Sequence, residues 1–148
     1  MDLLRPEAGA SPQGMNLFGG LLDRFTEIVG EGPGYATFHF ASQQEGQRLA
    51  MGFSRGDLPD LLRRADSILG HRSRVVEDTG ETMRVEVRGS PLLAGGRVGQ
   101  GILIGLLEGL LRAVLHRPVE GAVESQSPAG DGILFFAAAT QPRAGGAA

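Results

Sequence analysis

The sequence predicts an α+β fold: four helices, one of them central and apolar, with a four-stranded antiparallel sheet made of two hairpins. Three observations predict it. Residues 98–116 (VGQGILIGLLEGLLRAVLH) are apolar nearly all round, the pattern of a helix buried in a core. Met83, Val85 and Val87 alternate with Arg84, Glu86 and Arg88, the period of a strand with one wet face. The first half of the chain carries apolar residues at three- and four-residue spacing, the period of amphipathic helices.

The elements follow in order. Leu17, Phe18, Leu21, Leu22, Phe25, Ile28 and Val29 predict a helix over 15–29, closed by the Gly30 to Gly34 region. The next stretch reads two ways. Tyr35, Thr37 and His39 alternate with Ala36, Phe38 and Phe40 as in a strand, whereas QQEGQRLAM is made of helix formers, which favours a helix over 35–51. A third helix begins at Asp57 as N-cap, holds Pro59 in its first turn and repeats Leu58, Leu61, Leu62, Ala65, Ile68 and Leu69. SRVVEDTGETMRVEVRG is a hairpin turning at Asp78 to Glu81, and SPLLAGGR is the loop into the central helix, 98–116. PVEGAVES and GILFFAAAT, split by a turn from Pro128 to Gly132, form the second strand pair.

Composition narrows the function. A chain of 148 residues with 41% apolar content builds one core, placed at 14–140, with flexible ends at 1–13 and 141–148. The absence of cysteine excludes disulfide frameworks, thiolate metal sites and cysteine nucleophiles. All 14 basic residues are arginine, which excludes a Schiff-base lysine. They are dispersed among 17 acidic residues for a net charge of -3, so the footprint of a nucleic-acid binder is missing. The N-terminal MDLLRPEAGASPQG has no apolar signal region, so a cytoplasmic location is expected. The apolar helix is near the lower length limit for spanning a bilayer and carries Glu108, Arg112 and four glycines, so no membrane insertion is expected.

Gly101, Gly105, Glu108, Gly109 and Arg112 fall on one side of this helix. Each interior glycine costs roughly 1 kcal/mol against alanine. Close packing of a second backbone, within the chain or across a dimer, offsets that cost most simply, and space for a ligand is the other offset. Glu108 and Arg112 also make an i,i+4 pair in the favourable order, which at a surface indicates solvation.

GQGILIGLLEGLLRAVLHRPVEGAVESQSPAGDGILFF resembles the C-terminal signature of the 4-vinyl reductase-type, or hydrocarbon-binding, domain. That family belongs with the haem NO-binding domains and the Bet3-like Golgi transport subunits. Gly105 and Gly109 match its helix glycines, Glu124 its strand acid, Gly130 and Asp131 its turn, and Phe136 its terminal aromatic. The resemblance covers roughly 15–138 and is specific in the last forty residues. Where family members commonly carry cysteines, this chain has Gln100, Gln126 or Ser127, and Leu134, so any metal or redox role built on those thiols is absent.

What the resemblance implies is a non-catalytic module whose pocket, between the central helix, the sheet and helix 35–51, binds an apolar or flat ligand. Phe38, His39, Leu103, Leu107 and Phe136 are the expected lining. Haem or another tetrapyrrole is the cofactor class it implies, with His39, between two phenylalanines, as a ligand; a core histidine is the plainer reading. His71 and His116 read as structural. Regulator or carrier are the implied roles. The alternatives are a Bet3-like homodimer with a closed pocket that binds a protein partner, and an accessory factor in chlorophyll-type tetrapyrrole synthesis. No GxSxG elbow, Walker lysine or dinucleotide fingerprint is present, and the chain is not expected to be an enzyme.

Overall fold

The structure, a computed structural model, describes residues 12–140. The expected flexible ends lie outside this range, except for Pro12 and Gln13. Those two open the first helix, α1 (Pro12–Val29). The proline suits a first helical position, where its missing N–H has no intrahelical partner to lose. Gly30, at φ 90°, breaks the chain, and α2 (Glu31–Leu49) begins at once. Residues 35–49 are therefore helix, as the helix formers favoured, but the helix starts earlier and stops before Ala50 and Met51, which turn out of it. Pro33 sits in its first turn, where the absent N–H costs nothing, so Gly32 to Gly34 are helical and not the expected break.

A short 3-10 turn (Arg55–Asp57) precedes α3 (Leu58–Leu69). Asp57 occupies the expected cap position, but its carboxylate turns back to accept from the Ser54 backbone N–H at 2.8 Å and hydroxyl at 3.0 Å. These bonds hold its pKa below the usual carboxylate value. The helix buries Leu58, Leu61, Leu62 and Ala65 and ends on Gly70 in the left-handed conformation, φ 72°.

Four strands follow: β1 (Arg72–Asp78), β2 (Thr82–Arg88), β3 (Val119–Gln126) and β4 (Gly132–Ala139). The sheet order is β1-β2-β4-β3, antiparallel throughout, so the two hairpins join through β2 and β4. Met83, Val85 and Val87 face the core and Arg84, Glu86 and Arg88 face out, as the alternation requires. Bulges at Val76 and at Glu124 add one unpaired residue to each outer strand.

Between the hairpins runs α4 (Gly96–Leu115), entered by a 3-10 turn at Pro91–Gly95. It is the one helix among the described residues long and apolar enough to cross a bilayer, and 78% of that apolar window is buried inside the fold. The sequence pattern is that of a core helix, with α2 packed along its length. His116, just past its end, adopts φ 52°, the left-handed stop that glycine or asparagine usually supplies.

Candidate functional site: the seam between α2 and α4

The glycine stripe lies against α2. A Cβ on Gly105 would stand 2.5 Å from the His39 carbonyl oxygen, and one on Gly109 only 2.1 Å from that of Gln43. The fit is reciprocal, because a Cβ on Gly46 of α2 would meet the Leu106 carbonyl oxygen at 2.3 Å. The two helices thus touch backbone to backbone, and the dispersion attraction between them offsets the helix-propensity cost of the glycines. Gly101 makes room for the Tyr35 ring instead.

Beside this contact, Glu108 is only 4% exposed. Its Oε1 accepts from His39 Nε2 at 2.6 Å and from Gln43 Nε2 at 3.0 Å, and its Oε2 accepts from the Gly121 backbone N–H of β3 at 2.8 Å. The expected surface pair with Arg112 does not form. Arg112 Nε donates to the Val119 carbonyl at 3.0 Å. The reason is the position of β3: its outer edge runs along α4, and Glu108 and Arg112 supply the acceptor and donor that a neighbouring strand would otherwise give.

Gly121 permits this approach. A Cβ there would lie 2.2 Å from the tip of the Phe135 ring, which is fully buried and cannot turn aside. Gly121→Ala is therefore expected to lower stability by about 1–3 kcal/mol, the usual cost of overpacking; a urea melt with an unshifted midpoint would contradict the packing.

Outward from Glu108 the seam forms a column. The His39 ring, one quarter exposed, stacks on Tyr35 at 5.6 Å and 9° between planes. The Arg97 guanidinium lies 5.1 Å from the Tyr35 centroid and pairs with Glu31 at 3.7 Å.

The expected ligand lining is not brought together. Leu103 and Leu107 are buried in the core, Phe38 packs edge-on against Phe25 of α1 at 4.9 Å, and His39 is on the seam. Phe136 faces the opposite side of the sheet, under the Arg84 guanidinium at 4.8 Å, and lines an open depression of about 310 Å³ with Ala122 and Glu124. Strand parity decides this: Phe135 points inward, so Phe136 cannot. Glu124 accepts from Arg84 Nε at 2.7 Å on that outer face, and Gly130 (φ 74°) and Asp131 form the β3–β4 turn, where Asp131 accepts from the Ser127 hydroxyl at 2.7 Å.

Nor do these residues fit a tetrapyrrole. The α2–α4 seam is closed by backbone contact, and Leu103 and Phe135 retain no accessible surface, as they would beside a cavity of that size. His39 Nε2 is already committed to Glu108. Among the described residues no three His, Asp or Glu side chains are placed to share a metal ion.

Sequence reasoning missed Gln43, Gly46, Gly121 and the burial of Glu108. The signal was Gly46, a glycine amid helix formers facing a glycine-bearing helix. It also missed a cluster at the α3–β1 junction. There His71 is buried, its Nε2 3.1 Å from Asp66, which also accepts from the Ser73 backbone N–H at 3.0 Å and hydroxyl at 2.6 Å.

No family model matches the chain, and no curated protein matches it. Solved structures do match its fold. One is a trafficking protein particle complex subunit 3 from Naegleria fowleri covalently bound to palmitic acid, 13% identical, covering 86% of this chain and 93% of that one with a TM-score of 0.62. Another is the phenol-responsive sensory domain of the transcription activator PoxR with phenol, 17% identical, covering 99% and 81% with a TM-score of 0.64. The architecture is thus the α+β domain found in a trafficking subunit and in a sensory domain.

Proposed function

We propose that this chain is a non-catalytic binding module for an apolar partner, with a second copy of itself as that partner. One observation carries the reading: among the described side chains of α1, an apolar stripe is left exposed. Leu17, Leu21 and Ile28 fall within about 40° of each other on its outer side, and all three are exposed, Ile28 by 82%. Phe40 of α2 is exposed as well. Soluble domains cover such stripes by association.

A small apolar molecule is the second reading, and the palmitic acid and phenol held by the two similar structures favour it. With Leu103 and Phe135 in a filled interior, that ligand has to displace packed side chains to enter. The roles of regulator or carrier, and the 4-vinyl reductase-type kinship, belong to this reading. The non-catalytic part of the proposal draws its support from His39 and Glu108. The imidazole spends one nitrogen on a carboxylate that also accepts from Gln43 and from the Gly121 N–H, and among the described residues no hydroxyl is hydrogen-bonded to it.

Native mass spectrometry with and without palmitic acid or phenol separates the two. A dimer unchanged by either compound supports the first reading. A monomer that takes up one molecule overturns it in favour of the second.

A further inference from the structure

We propose that His71 is an acid-sensitive clasp that holds α3 on the edge of the sheet and releases it under mildly acidic conditions. The geometry is local. Asp66, in the last turn of α3, reaches across Gly70 to bind His71 and both the backbone and the hydroxyl of Ser73 at the start of β1. The His71 side chain is 1% exposed, and its Nδ1 is buried without a hydrogen-bond partner.

That missing partner makes the clasp sensitive to protons. With the imidazole neutral, Nε2–H donates to Asp66 and Nδ1 is a bare acceptor, which is tolerable in a core. A proton on Nδ1 creates a buried donor with nothing to receive it, beside a charge removed from water. Burial accordingly pushes the imidazole pKa below its usual 6.5, and Asp66 opposes this only in part. Asp66 is the charged group facing His71 from α3. From the sheet, Arg72 of β1 and the Arg88 registered opposite it in β2 are exposed cations that bring no acceptor.

The unfolded or opened segment binds the proton more readily than the closed one. The closed state is therefore at full strength above pH 6.5 and weakens as the pH falls from there toward the lower pKa of the buried imidazole. The opening equilibrium rises by up to tenfold per pH unit in that window. It is α3 that opens, because the helix is short and holds the core through one face, Leu58, Leu61, Leu62 and Ala65 with Leu69 partly buried beside them.

Amide hydrogen exchange of the full chain at pH 7.5, 6.5 and 5.5, corrected for the intrinsic rate, tests this. The proposal requires protection in α3 and β1 to fall by up to about fivefold between pH 6.5 and 5.5, the most that an open-state pKa of 6.5 allows, while α4 and β4 stay protected, and requires His71→Gln to abolish the pH response. Unchanged α3 protection overturns it, and so does an equal loss in every element. Should His71→Gln not fold, an NMR titration of the wild-type imidazoles decides: a His71 titrating at or above 6.5 overturns the clasp, and one titrating below it supports it.

Discussion

Gly109→Leu is expected to abolish cooperative folding. Its Cβ would lie 2.1 Å from the Gln43 carbonyl oxygen and 2.9 Å from both the Gln43 carbonyl carbon and the Gln47 nitrogen, all of them backbone atoms of α2. Side chains can rotate away from a larger neighbour, which is why ordinary overpacking costs only about 1–3 kcal/mol. A helix backbone has no such freedom, so α2 has to leave α4 and expose the face buried between them. That loss approaches the whole stability of a domain this size, about 5–15 kcal/mol. Gly20, on α1, has nothing within 4 Å of where a Cβ would stand, so Gly20→Ala is the control and should gain up to about 1 kcal/mol from helix propensity. Circular dichroism during a urea titration reads both; a sigmoidal transition for Gly109→Leu at the wild-type midpoint would mean that the helices do not touch.

Glu108→Ala is expected to cost about 2–5 kcal/mol, because each buried donor left without an acceptor costs about 1–3 kcal/mol. The substitution strands the Gly121 N–H and the Gln43 amide, and it frees the β3 edge as well as the His39 ring. Glu108→Gln keeps the shape and one set of acceptor contacts, so it should lose less, about 1–3 kcal/mol. A surface Glu108 paired with Arg112 would give less than about 1 kcal/mol for either change. Urea denaturation of the two variants therefore separates a buried edge cap from a solvated ion pair by the size of the effect alone.

Most of the fold was legible because its signals are local. Period-two alternation fixed Met83, Val85 and Val87 inward, and the apolar run marked α4. Helix formers in QQEGQRLAM outweighed the alternation around Phe38, and α2 is a helix. The site was less legible because it depends on which elements become neighbours. The glycine spacing on α4 announced a close contact, yet nothing local tells that the facing surface is α2. Glu108 looked solvated because Arg112 sits four residues on. Only the placement of β3 along α4 gives both side chains better partners in the backbone. Phe136 was misplaced by one residue of strand parity, since two adjacent phenylalanines leave the inward one undetermined until the register with β2 is set.

Sedimentation equilibrium on the wild type and on Ile28→Glu tests the proposed self-association most directly. Ile28 is exposed on α1 and makes no part of the sealed seam, so the glutamate should leave folding intact while charging the apolar stripe. The account predicts a wild-type mass near twice the chain mass of 15.5 kDa at tens of micromolar, and a mass near 15.5 kDa for the variant with an unchanged circular dichroism spectrum. A wild-type mass of 15.5 kDa at that concentration, or a variant that remains dimeric, would contradict it.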